Sequence, residues 1–195
     1  MSLSDIQKEM DFWINYNQPP KDFKHKAFYV DFFDFKQVSG DCLEIGCAGS
    51  PFISYADEVN PYLNLELLDP LMDEIVRIPK YSYLEKYTRY QTSLLDFRTW
   101  QSYDYIICLN VLDHFGQAHV NFLNKIFNLL KVGGYLYLYY DIRPKYLDGH
   151  YPIDHLAVHN HISNIYNIRK ESLDVNPVHN GWSGVRSSYR GVLQK

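Results

Sequence analysis

Residues 41–52 read Asp41-Cys-Leu-Glu-Ile-Gly-Cys-Ala-Gly-Ser-Pro-Phe52. Cys42, Leu43 and Ile45 make a short apolar strand, and Glu44 is the acidic residue near its end. Gly46, Cys47, Ala48, Gly49 and Ser50 follow as a turn of small residues. Such a turn lets another molecule press against the backbone, because glycine lacks a Cβ and tolerates positive φ. Strand, glycine-rich turn and helix is the way doubly wound α/β domains hold nucleotide-like ligands. The spacing matches neither the Gly-x-Gly-x-x-Gly of dinucleotide folds nor the Gly-x4-Gly-Lys-Ser/Thr of phosphate loops. No Lys or Arg lies between Asp41 and Arg77, so the turn is not built for a strongly anionic ligand.

Upstream, Ile6, Met10, Trp13 and Ile14 have helical spacing, with Ser4 as the N-cap. Gln18-Pro19-Pro20 breaks that helix. Asp22 is positioned to cap a second one, with Phe23, Ala27, Val30 and Phe33 as its apolar face, and Ser39-Gly40 closes it. Residues 1–40 therefore read as a helical cap or lid. Trp13, Tyr16 and Phe23 are expected to pack on the sheet, the alternative being that they cover a ligand.

Downstream, strands are expected at 62–68, 87–92, 105–110 and 135–140. Helices are expected at 71–78 and at 118–130. The second has Val120, Leu123, Ile126, Phe127 and Leu130 as its apolar face, and Lys131-Val-Gly-Gly134 supplies a glycine stop. Alternating strands and helices argue for a parallel sheet covered on both faces. Beyond 140 the pattern weakens to a loop, a helix near 155–166, and strands near 168–175 and 188–194.

The length of 195 residues suits a single domain. A net charge of −4 leaves no global basic footprint, so a nucleic-acid partner is not expected. Arg186, Arg190 and Lys195 read as a solvated basic end, the alternative being a contact to an anionic substrate. Three cysteines are too few, and odd in number, for a disulfide framework. Cys42 and Cys108 read as buried thiols and Cys47 as a small filler. No apolar run approaches the ~20 residues that cross a bilayer, and the N-terminus lacks a signal-peptide apolar region. The chain therefore reads as cytoplasmic, with no membrane partner.

Four ordered segments carry a family resemblance. They are Leu43-Glu-Ile-Gly-Cys-Ala-Gly49, Leu67-Leu-Asp69, Tyr103-Asp-Tyr-Ile-Ile-Cys-Leu-Asn-Val-Leu-Asp-His114 and Leu129-Leu-Lys-Val-Gly-Gly-Tyr-Leu136. Over about 41–140 the chain resembles the class I S-adenosylmethionine-dependent methyltransferases. The fold implied is one doubly wound, Rossmann-like α/β domain. Its seven-stranded sheet is mostly parallel with the last strand antiparallel, and helices lie on both faces. Residues 41–140 would be the cofactor-binding core and 141–195 the substrate loop and C-terminal strands.

The resemblance implies S-adenosyl-L-methionine as cofactor. Glu44 would meet its ammonium, directly or through water, or else only brace the turn. Gly46, Cys47, Ala48 and Gly49 would pass close to its methionine part. Asp69 would accept from the ribose diol, with Pro70 beside it and Leu71 or Met72 against the adenine. Ser93 and the Leu94 amide would stand where the family often places an acidic contact to the adenine amine, and Asn110 where a backbone carbonyl often meets the cofactor. Ala48 and Ser50 depart from the glycines usual at their positions, and Pro51 follows.

Candidates for the acceptor end follow the later strands. His114 is the candidate base, and Asp113 is its partner or an N-cap. Asp141 and Arg143 either position substrate or pair on the surface. The loop His150-Tyr-Pro-Ile-Asp-His155, with His159 and His161 beyond it, is the richest polar cluster outside the motifs, and His155 is its candidate base or acceptor contact. His155 and His159 share a helix face, but Asp154 projects elsewhere and a fourth ligand is lacking, so no metal is expected. The expected reaction is methyl transfer to an oxygen or nitrogen of a small-molecule acceptor by a monomer or homodimer. The alternative is a methyltransferase-like domain that binds cofactor or a protein partner without transfer.

Overall fold

A computed structural model describes residues 3–16, 29–54, 56, 59–143, 146, 150–175 and 187–195. Seven strands make one sheet: β1 Gly40–Ile45, β2 Leu63–Leu68, β3 Thr88–Tyr90, β4 Tyr103–Leu109, β5 Leu130–Ile142, β6 Asn167–Val175 and β7 Ser187–Gln194. Their spatial order is β3-β2-β1-β4-β5-β7-β6. The pairs β1–β2, β1–β4, β2–β3 and β4–β5 are parallel, and β7 runs antiparallel to both β5 and β6. This is the sheet expected from the motifs. Strand order reverses between β1 and β4, and ligands of open α/β sheets bind outside the carboxyl ends of strands at such a point. Ile45 pairs with Leu68 on one side and Cys108 on the other. The turns after β1, β2 and β4 therefore leave the sheet side by side.

Successive strand residues point to opposite faces. Leu43, Ile45, Ile106, Cys108, Leu136 and Leu138 face one core, and Cys42, Leu65, Leu67, Ile107, Leu109 and Tyr137 face the other. Among the described residues the helices are α1 Leu3–Asn15, α2 Met72–Val76, α3 His119–Leu129 and α4 His155–Ile165. Helix α3 closes the first core with Phe122, Leu123 and Ile126, all fully buried. Burial of each such side chain is worth roughly 1.5–3 kcal/mol relative to exposure. The buried stripe of α3 is rotated from the expected one: Val120 is 42% exposed, and Phe122 takes the place expected of it.

The glycine stop is also corrected. Leu130 is already extended (φ −76°, ψ 140°) and opens β5. Tyr103 pairs with Leu130 and Tyr105 with Tyr135, so the stretch between them bulges out of β5. A Cβ on Gly134 would come within 3.0 Å of the carbonyl oxygens of Tyr103, Asp104 and Lys131. Glycine is required there by a close backbone approach, not by a helix end.

Helix α1 joins the second core, where Trp13 is buried and Ile6, Met10 and Tyr16 pack against the cluster. Trp13 packs edge-on against Tyr81 of the 3-10 segment Pro79–Lys86, the Tyr81 hydroxyl donates to the Trp13 carbonyl at 3.2 Å, and Lys80 Nζ donates to the Ile14 carbonyl at 3.1 Å. Of the expected second helix, Asp22, Phe23 and Ala27 fall outside the described residues, as does Arg186. Arg190 is no solvated end. It pairs with Asp174 at 2.8 Å and lies over the Phe32 ring at 4.7 Å. Among the described residues no helix is long and apolar enough to cross a membrane.

Candidate active site

The turn after β1 is built from backbone. Gly46 has φ +67°, its N–H donates to the Leu68 carbonyl at 2.8 Å, and a Cβ there would sit 2.5 Å from Val111 Cγ2. A Cβ on Gly49 would sit 2.7 Å from the Tyr81 ring. Tyr81 thus covers the turn, and Trp13 covers Tyr81. Ala48 adopts φ +44°, a left-handed conformation that costs an ordinary residue about 1–2 kcal/mol. Its N–H donates to Asp69 Oδ2 at 3.0 Å, and the Leu71 N–H donates to Asp69 Oδ1 at 2.8 Å. Both oxygens of Glu44 accept from the Phe52 N–H, at 2.8 and 3.0 Å. In this structure Glu44 therefore braces the segment after the turn, where Pro51 stands.

Glu44 and Asp69 are buried, and neither has a basic partner among the described residues. Burial holds the Glu44 carboxyl well above the usual range, the Phe52 amide only partly opposing it. Burial pushes Asp69 up to about 6 against the pull of the Leu71 and Ala48 amides. Each Asp69 oxygen accepts one of these amides and keeps a further lone pair for a hydroxyl donor. Ser50 Oγ is buried beside the turn without a partner among the described residues. The small-residue cradle, the spare acceptors of Asp69 and the orphaned hydroxyl fit a nucleoside-bearing ligand.

The ends of β4 and β5 are built from side chains. Asn110 has φ +60°, its N–H donates to the Tyr139 carbonyl at 2.9 Å, and its Oδ1 is buried without a partner among the described residues. Asp113 is fully buried. Its Oδ2 accepts from Arg143 Nε at 3.2 Å and from His150 Nδ1 at 2.8 Å, while its Oδ1 has no partner among the described residues. Arg143 Nη2 donates to Asp141 Oδ2 at 3.2 Å, and the Tyr139 hydroxyl donates to Asp141 Oδ1. Tyr29, from the segment before β1, packs edge-on against Tyr139 at 5.2 Å between centroids. The His114 and His150 rings lie 4.3 Å apart. The Tyr151 N–H donates to the Asp113 carbonyl at 2.7 Å and ties the His150 segment to the end of β4.

Burial alone would raise the Asp113 carboxyl. The His150 hydrogen bond and the charges of His114, His150 and Arg143 outweigh it and lower the carboxyl. Burial lowers His114 despite the Asp113 charge. Asp113 makes no side-chain cap for the 3-10 turn Leu112–His114, so it is an ion-pair centre rather than an N-cap. Asp141 and Arg143 do pair, but buried rather than on the surface, with the Arg143 side chain 2% exposed.

The remaining candidates separate. The Leu94 side chain is buried in the core beneath α3, so only its backbone is placed to meet a ligand. Ser93 Oγ donates to Asp96 Oδ2 at 2.6 Å and accepts from the Asp96 N–H at 3.3 Å, closing its own turn. Pro70 is exposed and Leu71 buried. His155 is not brought to the Asp113 cluster. It opens α4, with Nδ1 at 2.9 Å from the Tyr140 hydroxyl and its ring beside Tyr189. Asp154 caps α4 by accepting from the Ala157 N–H at 3.1 Å, and His159 pairs with Glu171 at 2.9 Å. His161 contacts Asn124. His150 was visible only as part of a polar loop, because its partners lie in other segments of the chain.

A family model described as a methyltransferase domain matches residues 13–171. The chain belongs to this methyltransferase domain family. The enzyme class implied by the four motifs stands. No curated protein sequence matches the chain. Solved structures of methyltransferases share the fold. The N-methyltransferase NodS from Bradyrhizobium japonicum WM9, in complex with S-adenosyl-L-homocysteine, superimposes with a TM-score of 0.70 at 15% identity, covering 96% of this chain and 97% of that one. The plantazolicin methyltransferase BpumL, also with S-adenosylhomocysteine, gives a TM-score of 0.65 at 13% identity over 100% and 91% of the two chains. The mitomycin 7-O-methyltransferase MmcR gives 0.62 at 13% identity, and the match spans 87% of this methyltransferase but 53% of MmcR.

Proposed function

We propose that this methyltransferase uses S-adenosyl-L-methionine to methylate an oxygen or nitrogen of a small-molecule acceptor. The observation that carries the reading is the pair of uncompensated carboxylates, Glu44 and Asp69, around a small-residue turn at the switch point of the sheet. Asp69 accepts from the ribose hydroxyls with its spare lone pairs. Gly46, Cys47, Ala48 and Gly49 let the methionine part lie against the backbone, with Glu44 toward its ammonium. Leu71, the Leu94 and Ser93 backbone and Asn110 border the nucleoside.

The bound cofactor supplies a methyl group already activated on a sulfonium. The chain has to hold the acceptor in line with that methyl and exclude water. The Asp113–His114–His150 cluster, beside Val111 that packs against Gly46, is the acceptor end and draws the acceptor's proton. Tyr29 and Tyr139 wall it. The two comparison enzymes named for their acceptor atom, one N- and one O-directed, support methyl transfer without choosing the atom.

Calorimetric titration with S-adenosylhomocysteine tests the cofactor half. Asp69→Ala removes at least one hydrogen bond to a charged group, worth roughly 1.5–3 kcal/mol, so its Kd should rise by at least about 10- to 150-fold. Wild-type protein that gives neither heat nor a thermal shift would end the reading. His114→Ala should lower turnover while leaving the cofactor Kd unchanged, and normal turnover would remove His114 from the acceptor chemistry.

A further inference from the structure

The group at the end of β4 has more acceptor capacity than its hydrogen bonds use. Asp113, His114 and His150 each offer one ligand atom, and these three atoms lie within 4.8 Å of one another. The set is two imidazoles and one carboxylate, a donor combination that suits first-row divalent cations better than Mg²⁺ or Ca²⁺. Asp113 Oδ1 is buried without a partner among the described residues. Buried oxygens lose the desolvation energy of an unmade contact, and a cation would recover it.

Charge supports the same conclusion. Arg143 stands next to Asp113 and by itself would oppose a cation. Its charge is matched by Asp141, 3.2 Å from Nη2, so the Asp113 carboxylate remains as the net negative group. Arg143 Nε then holds Asp113 Oδ2 in place, as outer partners commonly orient metal-binding carboxylates. The contact between His150 Nδ1 and Asp113 Oδ2 brings together two groups that can share a cation once a proton is released. The alternative is a self-contained Asp–His hydrogen-bonded pair. It accounts for Oδ2 but leaves Asp113 Oδ1 with no partner among the described residues.

We propose that Asp113, His114 and His150 bind one divalent first-row cation, of the Zn²⁺ or Mn²⁺ class, with a remaining position that takes the acceptor's oxygen. The role toward the acceptor rests on the methyltransferase reading above, while the cation site itself does not. In the step inferred, the cation polarises an acceptor hydroxyl, and its proton passes to water because His114 and His150, once held as ligands, no longer act as bases. The oxygen then forms a bond to the methyl carbon as the carbon–sulfur bond breaks and sulfur keeps the electron pair. The acceptor class becomes a hydroxyl compound rather than an amine.

The test uses untagged full-length protein, stripped with a chelator and then titrated separately with Zn²⁺, Mn²⁺ and Co²⁺. Elemental analysis of the Zn²⁺-loaded protein should return about one ion per chain, and Co²⁺ should give visible bands of a nitrogen–oxygen site. His150→Ala and Asp113→Asn should each weaken binding by about tenfold or more, with circular dichroism reporting that the fold is kept. A wild-type stoichiometry near zero overturns the proposal, as does binding that both variants leave intact. S-adenosylhomocysteine titrated into the same samples separates the two readings. Cofactor binding without the ion removes only the cation site, and ion binding without the cofactor removes only the methyltransferase assignment.

Discussion

The two halves of the crevice hold their acidic groups in opposite ways. At the ends of β1 and β2, Glu44 and Asp69 accept from backbone amides and have no basic partner among the described residues. At the ends of β4 and β5, Asp113 and Asp141 share the Arg143 guanidinium, and His150 closes on Asp113. The first half is a local arrangement in which the missing positive character must come from a ligand. The second carries its own counter-charge and uses side chains from four separate stretches of chain. A ligand therefore completes the first half electrostatically, whereas the second half is a preassembled network that the ligand meets.

Cutting the network should have the largest effect. Arg143→Met leaves Asp113 and Asp141 buried without their cation, and loss of one partner of a buried pair costs about 3–5 kcal/mol. Urea unfolding should register that loss, and a change under about 1 kcal/mol would mean that the network is relaxed by water.

The next effect lies in the first half and depends on pH. Asp69 titrates at about 6 in the folded chain, above its ordinary value near 3.8. The folded state therefore holds more protons than the unfolded state across that interval. Stability from this group is present below it and is lost as pH rises through it, by roughly 2–3 kcal/mol. Asp69→Asn should flatten that part of the pH–stability curve relative to wild type. Parallel curves for the two proteins would show that Asp69 is not held in a dry site.

The smallest effect concerns the departure at Ala48. Ala48→Gly relieves the φ +44° strain but adds freedom to the unfolded chain, and the two terms nearly cancel. Stability should stay within about 1 kcal/mol and cofactor affinity should be kept. A large loss of affinity would assign the Ala48 methyl group a direct contact.

The same contrast explains what was legible before the structure. Leu43 to Gly49 and Leu67 to Asp69 are short runs whose function lies in their own backbone, so strand, turn and carboxylate were readable together. The parallel sheet follows from strands alternating with helices. The sequence places Val120 on the stripe of α3 because Val120 fits a helical period as well as Phe122 does, and only the packing against the sheet distinguishes them. Asp141 and Arg143 share a strand face by their spacing, which revealed the pair but not its burial. That burial depends on Tyr29 and His150, which come from stretches far apart in sequence and without a regular period. No local pattern links them.

The edge-on contact of Trp13 with Tyr81, and the cover that Tyr81 gives Gly49, provide the protein with an optical handle. Trp13 is 8% exposed, whereas Trp100 is fully exposed, so their indoles emit from different surroundings. With Trp100 and Trp182 replaced by phenylalanine, Trp13 fluorescence becomes a reporter of the glycine turn. Stopped-flow mixing would then time the change in the surroundings of Trp13 as the ligand arrives, without a dye or a label.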